Sequence, residues 1–179
     1  MRILIVGASG FIGDYLLRRL RHNADLEVTS TYHNREPQGI DQSWHRTEIT
    51  DHQRLEQVFS QARPDVVVLL AAIADVGTAE RAPERATEVN VDGAAQVARL
   101  CTQHQAKLIF LSSEYVFGGD RGNYREDDSP DPNTHYGWTK WQAELVVARE
   151  AAQWSIVRTS LVYGWPIIGR RNLASSIID

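Results

Sequence analysis

Short runs of apolar residues alternate along the chain with segments in which apolar residues recur every three or four positions. The runs predict buried β-strands at residues 3–6, 26–32, 47–50, 66–70, 108–112 and 155–162. The helical spacing predicts α-helices at residues 11–21, 52–61, 83–103 and 133–150. This alternation indicates an α/β fold with a doubly wound parallel sheet, the Rossmann arrangement, in which ligands bind at the carboxyl ends of the strands.

The first predicted strand ends in a turn with three glycines, GASGFIG at residues 7–13. In a doubly wound sheet the pyrophosphate of a dinucleotide lies at this turn. Gly7 would allow the tight turn, Gly10 the approach of phosphate, and Gly13 close packing of the helix on the sheet. A well-packed tight turn with no ligand is the alternative, but the position after the first strand favours a dinucleotide site.

The segment YGWTK places Tyr136 and Lys140 four residues apart, on one face of a predicted helix. A phenol is a poor acid at neutral pH unless a nearby ammonium group favours the phenolate. Lys140 is predicted to supply that charge and to reach the cofactor ribose. Tyr136 could then donate a proton to a carbonyl oxygen while hydride reaches the carbon. Ser112, Ser113 and Glu114 follow at the end of the fifth strand, where a hydroxyl could orient that oxygen.

With these motifs in order, the chain resembles the extended short-chain dehydrogenase/reductase superfamily, and within it the dTDP-4-dehydrorhamnose reductases and related sugar-nucleotide reductases. The resemblance implies Ser113, Tyr136 and Lys140 as the catalytic triad, with Glu114 as the acidic residue beside it. Its motifs are GASGFIG, ITD at 49–51, RAPERATEVNVDGA at 81–94, SSEYVFGG at 112–119, YREDDSPDPNTHYGWTK at 124–140 and VRTSLVYG at 157–164.

The resemblance also implies cofactor contacts. Asp51 would lie near the adenine, although it is equally suited to cap a helix. Asn90 would support the active site from its helix, although it equally suits the pairing of buried backbone groups. Ser160 would lie by the nicotinamide. The full predicted cofactor set is Gly7, Ser9, Gly10, Phe11, Ile12, Gly13, Arg35, Asp51, Ala71, Ala72, Asn90, Tyr136, Lys140 and Ser160.

The end of the second strand bears on the choice between NADP and NAD. An acidic residue there would bind the ribose 2′-hydroxyl of NAD, but the sequence is TYHNR, with no carboxylate before Glu36. Arg35 suits a 2′-phosphate, since a guanidinium group binds phosphate with two hydrogen bonds. The alternative is a solvated loop arginine. The sequence therefore favours NADP over NAD.

Composition and charge exclude several other classes of protein. The 179 residues carry a net charge of −4 without a basic cluster, so no nucleic-acid partner is expected. No apolar run has the length of a membrane span or of a signal peptide, which predicts a cytoplasmic protein without a membrane partner. The six histidines and the single cysteine show no metal-ligand spacing, so no metal site is expected.

The organisation predicted from the resemblance is an NAD(P)-binding domain at 1–165 that carries the catalytic residues. Residues 166–179 would begin a smaller C-terminal substrate domain, most of which is absent. Either the chain is a fragment, or a partner chain completes the substrate domain; a homodimer is the alternative assembly. Gly77 stands where these reductases carry an aspartate, which puts substrate recognition on that side in question.

Three functions are consistent with the sequence. The leading hypothesis is an NAD(P)-dependent oxidoreductase that reduces the keto group of a nucleotide-activated sugar. The first alternative is an NAD-dependent nucleotide-sugar epimerase or dehydratase of the same superfamily. The second is a non-catalytic regulatory subunit, such as that of methionine adenosyltransferase, against which the intact Ser113, Tyr136 and Lys140 argue.

Overall fold

One parallel sheet of six strands organises the computed structural model, which describes residues 1–34, 37 and 43–164. The strands are β1 Arg2–Val6, β2 Glu27–Tyr32, β3 Ser43–Arg46, β4 Val66–Leu69, β5 Lys107–Ser113 and β6 Trp154–Thr159. Their order across the sheet is β3-β2-β1-β4-β5-β6, and every neighbouring pair is parallel. The winding reverses between β1 and β4, so the carboxyl ends of these two strands flank a ligand-binding crevice.

The helices of the described residues connect these strands. They are α1 Phe11–Leu20, α2 His52–Ala62, α3 Val76–Arg81, α4 Pro83–Thr87, α5 Gly93–Gln103 and α6 His135–Glu150. A π-helical turn, Glu88–Asp92, joins α4 to α5, and a 3₁₀ turn, Glu114–Val116, follows β5. Thr134 caps the start of helix α6, because its side chain accepts a hydrogen bond from the Gly137 amide. None of these helices is long and apolar enough to cross a membrane.

The core lies on both faces of the sheet. Leu4 and Ile5 are adjacent in β1, and both are fully buried, but they belong to different clusters because successive strand residues point to opposite faces. Leu4 packs with residues of α2, α5 and α6, whereas Ile5 packs with Leu17 of α1. The predicted doubly wound Rossmann fold is therefore confirmed.

The predicted third strand is displaced. The sequence predicts it at 47–50, whereas β3 spans Ser43–Arg46. Pairing with β2 ends where the Thr47 amide donates to the Tyr32 carbonyl at 2.8 Å, and the chain then turns towards α2. The strand was missed because it is a short, polar edge strand with one large apolar side chain, Trp44. Such a strand carries almost no hydrophobic pattern.

Two helical details also differ from the prediction. Helix α3 was not predicted, because its six residues are too few to show a helical period; the Asp75 carboxylate caps it by accepting from the Thr78 amide at 2.7 Å. The single helix predicted at 83–103 is present as α4, the π turn and α5 in succession. The π turn holds one more residue than an α-helical turn and so changes which side chains face inward.

Candidate active site

The glycine turn after β1 has two positions where the fold itself requires glycine. Gly7 has a φ of +88°, and a Cβ there would lie 2.6 Å from the Ala71 nitrogen. A Cβ on Gly13 would lie 2.3 Å from the Ala8 carbonyl oxygen. Gly10 differs, since a Cβ there would meet only the Gly7 oxygen, at 3.4 Å. The fold therefore leaves open space in front of Gly10.

A threonine at the end of β2 holds this turn in place. The Gly7 amide donates to the Thr31 hydroxyl at 3.0 Å, and the Ala8 amide donates to the Thr31 carbonyl at 2.9 Å. Helix α1 then begins at Gly10 without a side-chain cap. Its first amides are therefore available to an anion, and the helix dipole favours negative charge there.

A cleft runs past this turn along the carboxyl ends of the strands and has two lobes. The distal lobe, about 490 Å³, lies towards β2 and β3 and includes the predicted residues Ser9 and Ala71. The catalytic lobe, about 640 Å³, lies towards β5 and β6. Both lobes are lined by Gly7, Gly10, Leu70 and Ala72. The catalytic lobe also contains the predicted residues Phe11, Ile12, Gly13, Ser113, Glu114, Tyr136, Lys140 and Ser160.

The distal lobe offers polar groups that sequence reasoning missed. The Thr47 hydroxyl is buried without a hydrogen-bond partner and lines this lobe. The Glu48 carboxylate also lines it, where it pairs with Arg85 and lies 3.6 Å from His33. Because β3 ends earlier than predicted, both residues lie at the carboxyl edge of the sheet. No sequence signal marks them, because residues 47–50 are themselves predicted as a strand.

Asp51, predicted to lie near the adenine, is not among the described residues that line the distal lobe. The Asp51 carboxylate accepts from the Arg54 amide at 3.0 Å and caps α2. Arg35 lies outside the described residues. Its predicted contact with a 2′-phosphate stays a prediction.

Asn90, in the π turn, forms hydrogen bonds both with the loop after β4, which lines the cleft, and with the catalytic helix α6. Its side-chain oxygen accepts from the Ile73 amide at 2.8 Å, and its amide group donates to the Ile73 carbonyl at 3.1 Å. The same amide group donates to the Thr139 hydroxyl at 2.9 Å, which in turn donates to the Tyr136 carbonyl at 2.7 Å. Asn90 therefore fixes the loop after β4 against α6 at Tyr136.

Tyr136 and Ser113 meet in the catalytic lobe. Both are buried, both line this lobe, and the Ser113 side chain interacts with the Tyr136 phenol. The Ser113 hydroxyl also donates to the Glu114 carboxylate at 3.3 Å. Burial raises the pKa of Tyr136, and its side-chain interaction with Ser113 opposes that shift in part. The phenol is therefore protonated at neutral pH and can act as a proton donor.

Lys140 lies one turn further along α6 and is almost completely buried. Its ammonium nitrogen donates to the Leu111 carbonyl at 2.7 Å and lies 4.1 Å from the centre of the Phe110 ring. Burial lowers the pKa of Lys140 to about 7, although the charge of Glu144 opposes the shift. The sequence predicts that Lys140 lowers the pKa of Tyr136. Here the pKa of Tyr136 is raised instead, because burial dominates and the charge of Glu114 adds to the shift.

Because the pKa of Lys140 is lowered in the folded chain, the free energy of unfolding should depend on pH. The unfolded chain keeps this proton up to about pH 10.4, whereas the folded chain releases it near pH 7. Stability should therefore rise with pH between these values. Lys140→Met should abolish that rise, which reduces the gain in unfolding free energy between pH 7 and 10 by more than about 1 kcal/mol. Chemical denaturation at several pH values measures it.

The matched control is Lys107→Met, which removes an exposed lysine at the start of β5. Comparison with the unaltered chain cancels the other groups that titrate in this range. An equal pH dependence in the Lys140→Met and Lys107→Met chains would contradict the assignment.

A buried ion pair behind Lys140 was also missed. Glu144 accepts two hydrogen bonds from the Arg158 guanidinium, at 2.9 and 2.7 Å, and one from the Ser112 hydroxyl at 2.5 Å. Glu144 follows Lys140 by four residues, so the pattern Tyr-x₃-Lys-x₃-Glu was the available signal. Arg158 lies in β6 opposite Ser112.

Within residues 1–34, 37 and 43–164 no group of three or more His, Cys, Asp or Glu side chains could hold a metal ion. The glycine turn, the open space at Gly10 and the unpartnered Thr47 hydroxyl instead fit a dinucleotide that spans both lobes. The fold and the arrangement of the site are those of the extended short-chain dehydrogenase/reductase class.

The family is defined more closely by comparison with known proteins. The family model described as the RmlD substrate binding domain matches residues 1–179, and the chain belongs to this family. It is 34% identical over 165 residues to a probable low-salt glycan biosynthesis reductase, Agl14, of Haloferax volcanii; the match covers 92% of this chain and 54% of that protein. It is 29% identical over 163 residues to methionine adenosyltransferase 2 subunit beta of Bos taurus, and the match covers 91% of this chain and 47% of that protein.

A solved structure shows the same likeness. The dTDP-4-dehydrorhamnose reductase of Bacillus anthracis, in complex with NADP, matches with a TM-score of 0.80 and 30% identity, over 99% of this chain and 58% of that one. The chain spans about half the length of the relatives that it matches.

Proposed function

We propose that the chain forms the cofactor-binding and catalytic half of an NADP-dependent reductase that acts on the keto group of a nucleotide-activated sugar. The observation that carries the proposal is the meeting of Ser113 and Tyr136 with Lys140 in a lobe that begins at the glycine turn. A protein that only sensed a dinucleotide would need the turn but not a buried phenol with a serine hydroxyl beside it. The reductase relatives support the same class.

The chemistry that a bound nicotinamide supplies is hydride transfer to a carbonyl carbon. The phenol of Tyr136 would donate the proton that the carbonyl oxygen needs at the same time. Ser113 would donate a second hydrogen bond to that oxygen and so fix its position. When protonated, Lys140 would stabilise the phenolate that remains after the proton transfer and would bind the ribose hydroxyls.

We propose NADP as the preferred cofactor, with Arg35 as its determinant. Arg35→Ala should weaken NADPH binding by about tenfold or more, because a bidentate guanidinium–phosphate contact is lost. NADH lacks the phosphate, so its affinity should hardly change. Titration of both nucleotides by intrinsic fluorescence measures the two affinities. An equal effect on both cofactors would assign Arg35 to the solvent-exposed loop instead.

The experiment that tests the reductase is NADPH oxidation over a panel of nucleotide-activated 4-keto sugars. A decrease in absorbance at the nicotinamide band with one such ketone, absent with the corresponding alcohol, is expected. Because the relatives are about twice as long, the assay uses both this chain and the full-length protein if the gene encodes one. No turnover by either form, with NADPH bound, would reject the enzymatic proposal.

A second candidate is a regulatory subunit, which the likeness to methionine adenosyltransferase 2 subunit beta favours. It predicts nucleotide binding without turnover. The epimerase or dehydratase alternative predicts instead that the purified protein retains NAD, since such enzymes return the hydride to the same substrate. Analysis of the nucleotide released on denaturation separates this alternative from the reductase.

A further inference from the structure

The buried carboxylate of Glu144 lies between two parts of the molecule, Lys140 on the catalytic helix and a loop that Arg158 contacts. On one side is Lys140, one helical turn away. On the other side is Arg158, which contacts the 117–128 loop. This loop is the segment of residues 117–128, which follows the 3₁₀ turn and precedes α6. The Glu144 side chain is only 6% exposed, and that of Arg158 is 22% exposed.

Arg158 holds the 117–128 loop by two kinds of contact. Its guanidinium donates to the Glu126 carbonyl at 3.2 Å and lies 5.0 Å from the centre of the Phe117 ring. The Phe117 ring stacks on Tyr124, with ring centres 4.4 Å apart and planes within 8°. Arg121 covers the Tyr124 ring at 4.9 Å. Guanidinium groups are attracted to aromatic faces, so these four side chains form a continuous column.

The surroundings of Lys140 explain why Glu144 is important to it. From β5 come the Leu111 carbonyl and the Phe110 ring, and from α6 comes the charge of the Glu144 carboxylate. Tyr136 of α6 lines the same lobe as Lys140. Arg158 of β6 lies behind Glu144. Among the described groups, Glu144 is the charge that favours the ammonium form against burial.

We propose that Glu144, held by Arg158 and Ser112, is a positioning residue that presents its carboxylate towards Lys140 and ties the 117–128 loop to the catalytic helix. The catalytic importance of Lys140 rests on the proposed function, whereas the link itself does not. The loop and Glu144 border one cavity of about 950 Å³, which meets the catalytic lobe at Glu114 and Ser160. Through Arg158, Glu144 therefore links the loop to the helix that carries Lys140.

The test uses the chain's two lysines, Lys107 and Lys140. In protein labelled with ¹³C-lysine, NMR shows one side-chain signal from each, assigned with Lys140→Met, and pH titration follows both. Glu144→Gln should move the Lys140 titration down by about one pH unit, because the favourable charge is lost. The Lys107 signal should not move. Glu144→Asp, which keeps the charge, should return Lys140 towards its original titration.

The second readout of Glu144→Gln is trypsin cleavage after Arg121 and Arg125, both exposed in the loop. Cleavage there should quicken about threefold or more, because Arg158 is held less firmly. Phe117→Leu breaks the column outside the ion pair, so it should quicken cleavage and leave the Lys140 titration unchanged. This variant also tests the tie to the loop if Glu144→Gln does not fold. Glu144→Asp, whose shorter side chain moves the carboxylate away from Lys140, should then lower the Lys140 titration by a smaller but measurable amount.

The matched control is Glu150→Gln, which removes a carboxylate of the same helix that pairs with Arg149 at the surface. It should change neither readout. An unchanged Lys140 titration in Glu144→Gln, or unchanged loop cleavage in both Glu144→Gln and Phe117→Leu, would overturn the proposal. Neither readout needs turnover, so failure of the reductase assay with these shifts present would reject the proposed function alone.

Discussion

Replacement of Tyr136 by phenylalanine is expected to lower the turnover of the keto sugar by at least about 100-fold, the usual contribution of a general acid. The ring would remain in place, since it packs with Ala79 and Ala86. Only the hydroxyl beside Ser113 is lost, so NADPH affinity should change little. Steady-state rates and NADPH titrations on the same preparation provide both quantities.

Tyr115 offers the matched comparison, because its ring lies 5.7 Å from that of Tyr136 and it lines the same lobe. Tyr115 is 41% exposed, whereas Tyr136 is 8% exposed and next to Ser113. Tyr115→Phe should therefore cost less than about tenfold in turnover. If Tyr136→Phe reduces the ketone as fast as the unaltered protein, the proposed proton donor is wrong, and the regulatory alternative gains.

The pH dependence of turnover should reflect the raised pKa of Tyr136 and the lowered pKa of Lys140. Lys140 is protonated below about pH 7, and the raised pKa of Tyr136 keeps the phenol protonated well above that value. The sequence alone predicts a phenol that titrates early because of the lysine. It could not show that burial dominates at Tyr136 and that the Leu111 carbonyl binds the ammonium.

Much of the fold could be predicted because its central strands carry strong hydrophobic patterns. Residues 66–69 and 108–113 lie at the centre of the sheet and are nearly continuous apolar runs. The failure occurred at β3, where an edge strand needs little apolar surface. That error also hid Thr47 and Glu48, because residues assigned to a strand were not considered as lining for the cleft.

Candidate site residues could be predicted where backbone geometry restricts the residue type or where a motif has a fixed spacing. The glycine turn and the Tyr136–Lys140 pair are of this kind. Glu144 and Arg158 could not be paired from the sequence, since their contact depends on how β6 aligns with β5 and α6. A polar residue in a helix and one in a strand carry no local sign of such a contact.

The second prediction with a large expected effect concerns Gly10 in the glycine turn and the affinity for a dinucleotide. Gly10→Val should weaken dinucleotide binding by at least about 100-fold and leave the fold intact. The backbone of Gly10 is extended, with φ −77° and ψ 172°, which any residue can adopt. Its Cβ would meet only the Gly7 oxygen, at 3.4 Å. The valine side chain would instead fill the space where a phosphate reaches the first amides of α1, and each charge-assisted hydrogen bond lost costs about 1.5–3 kcal/mol.

Gly13→Ala provides the contrast within the same turn. Its added methyl would lie 2.3 Å from the Ala8 carbonyl oxygen, so the helix must move away from β1. We expect a loss of about 1–3 kcal/mol in unfolding free energy, whereas Gly10→Val should cost about 1 kcal/mol or less through its N-cap position. Urea denaturation and NADPH titration of both variants separate the two effects. Unchanged NADPH affinity in a folded Gly10→Val chain would reject this turn as the phosphate site, because the valine side chain would occupy the space in front of the first α1 amides.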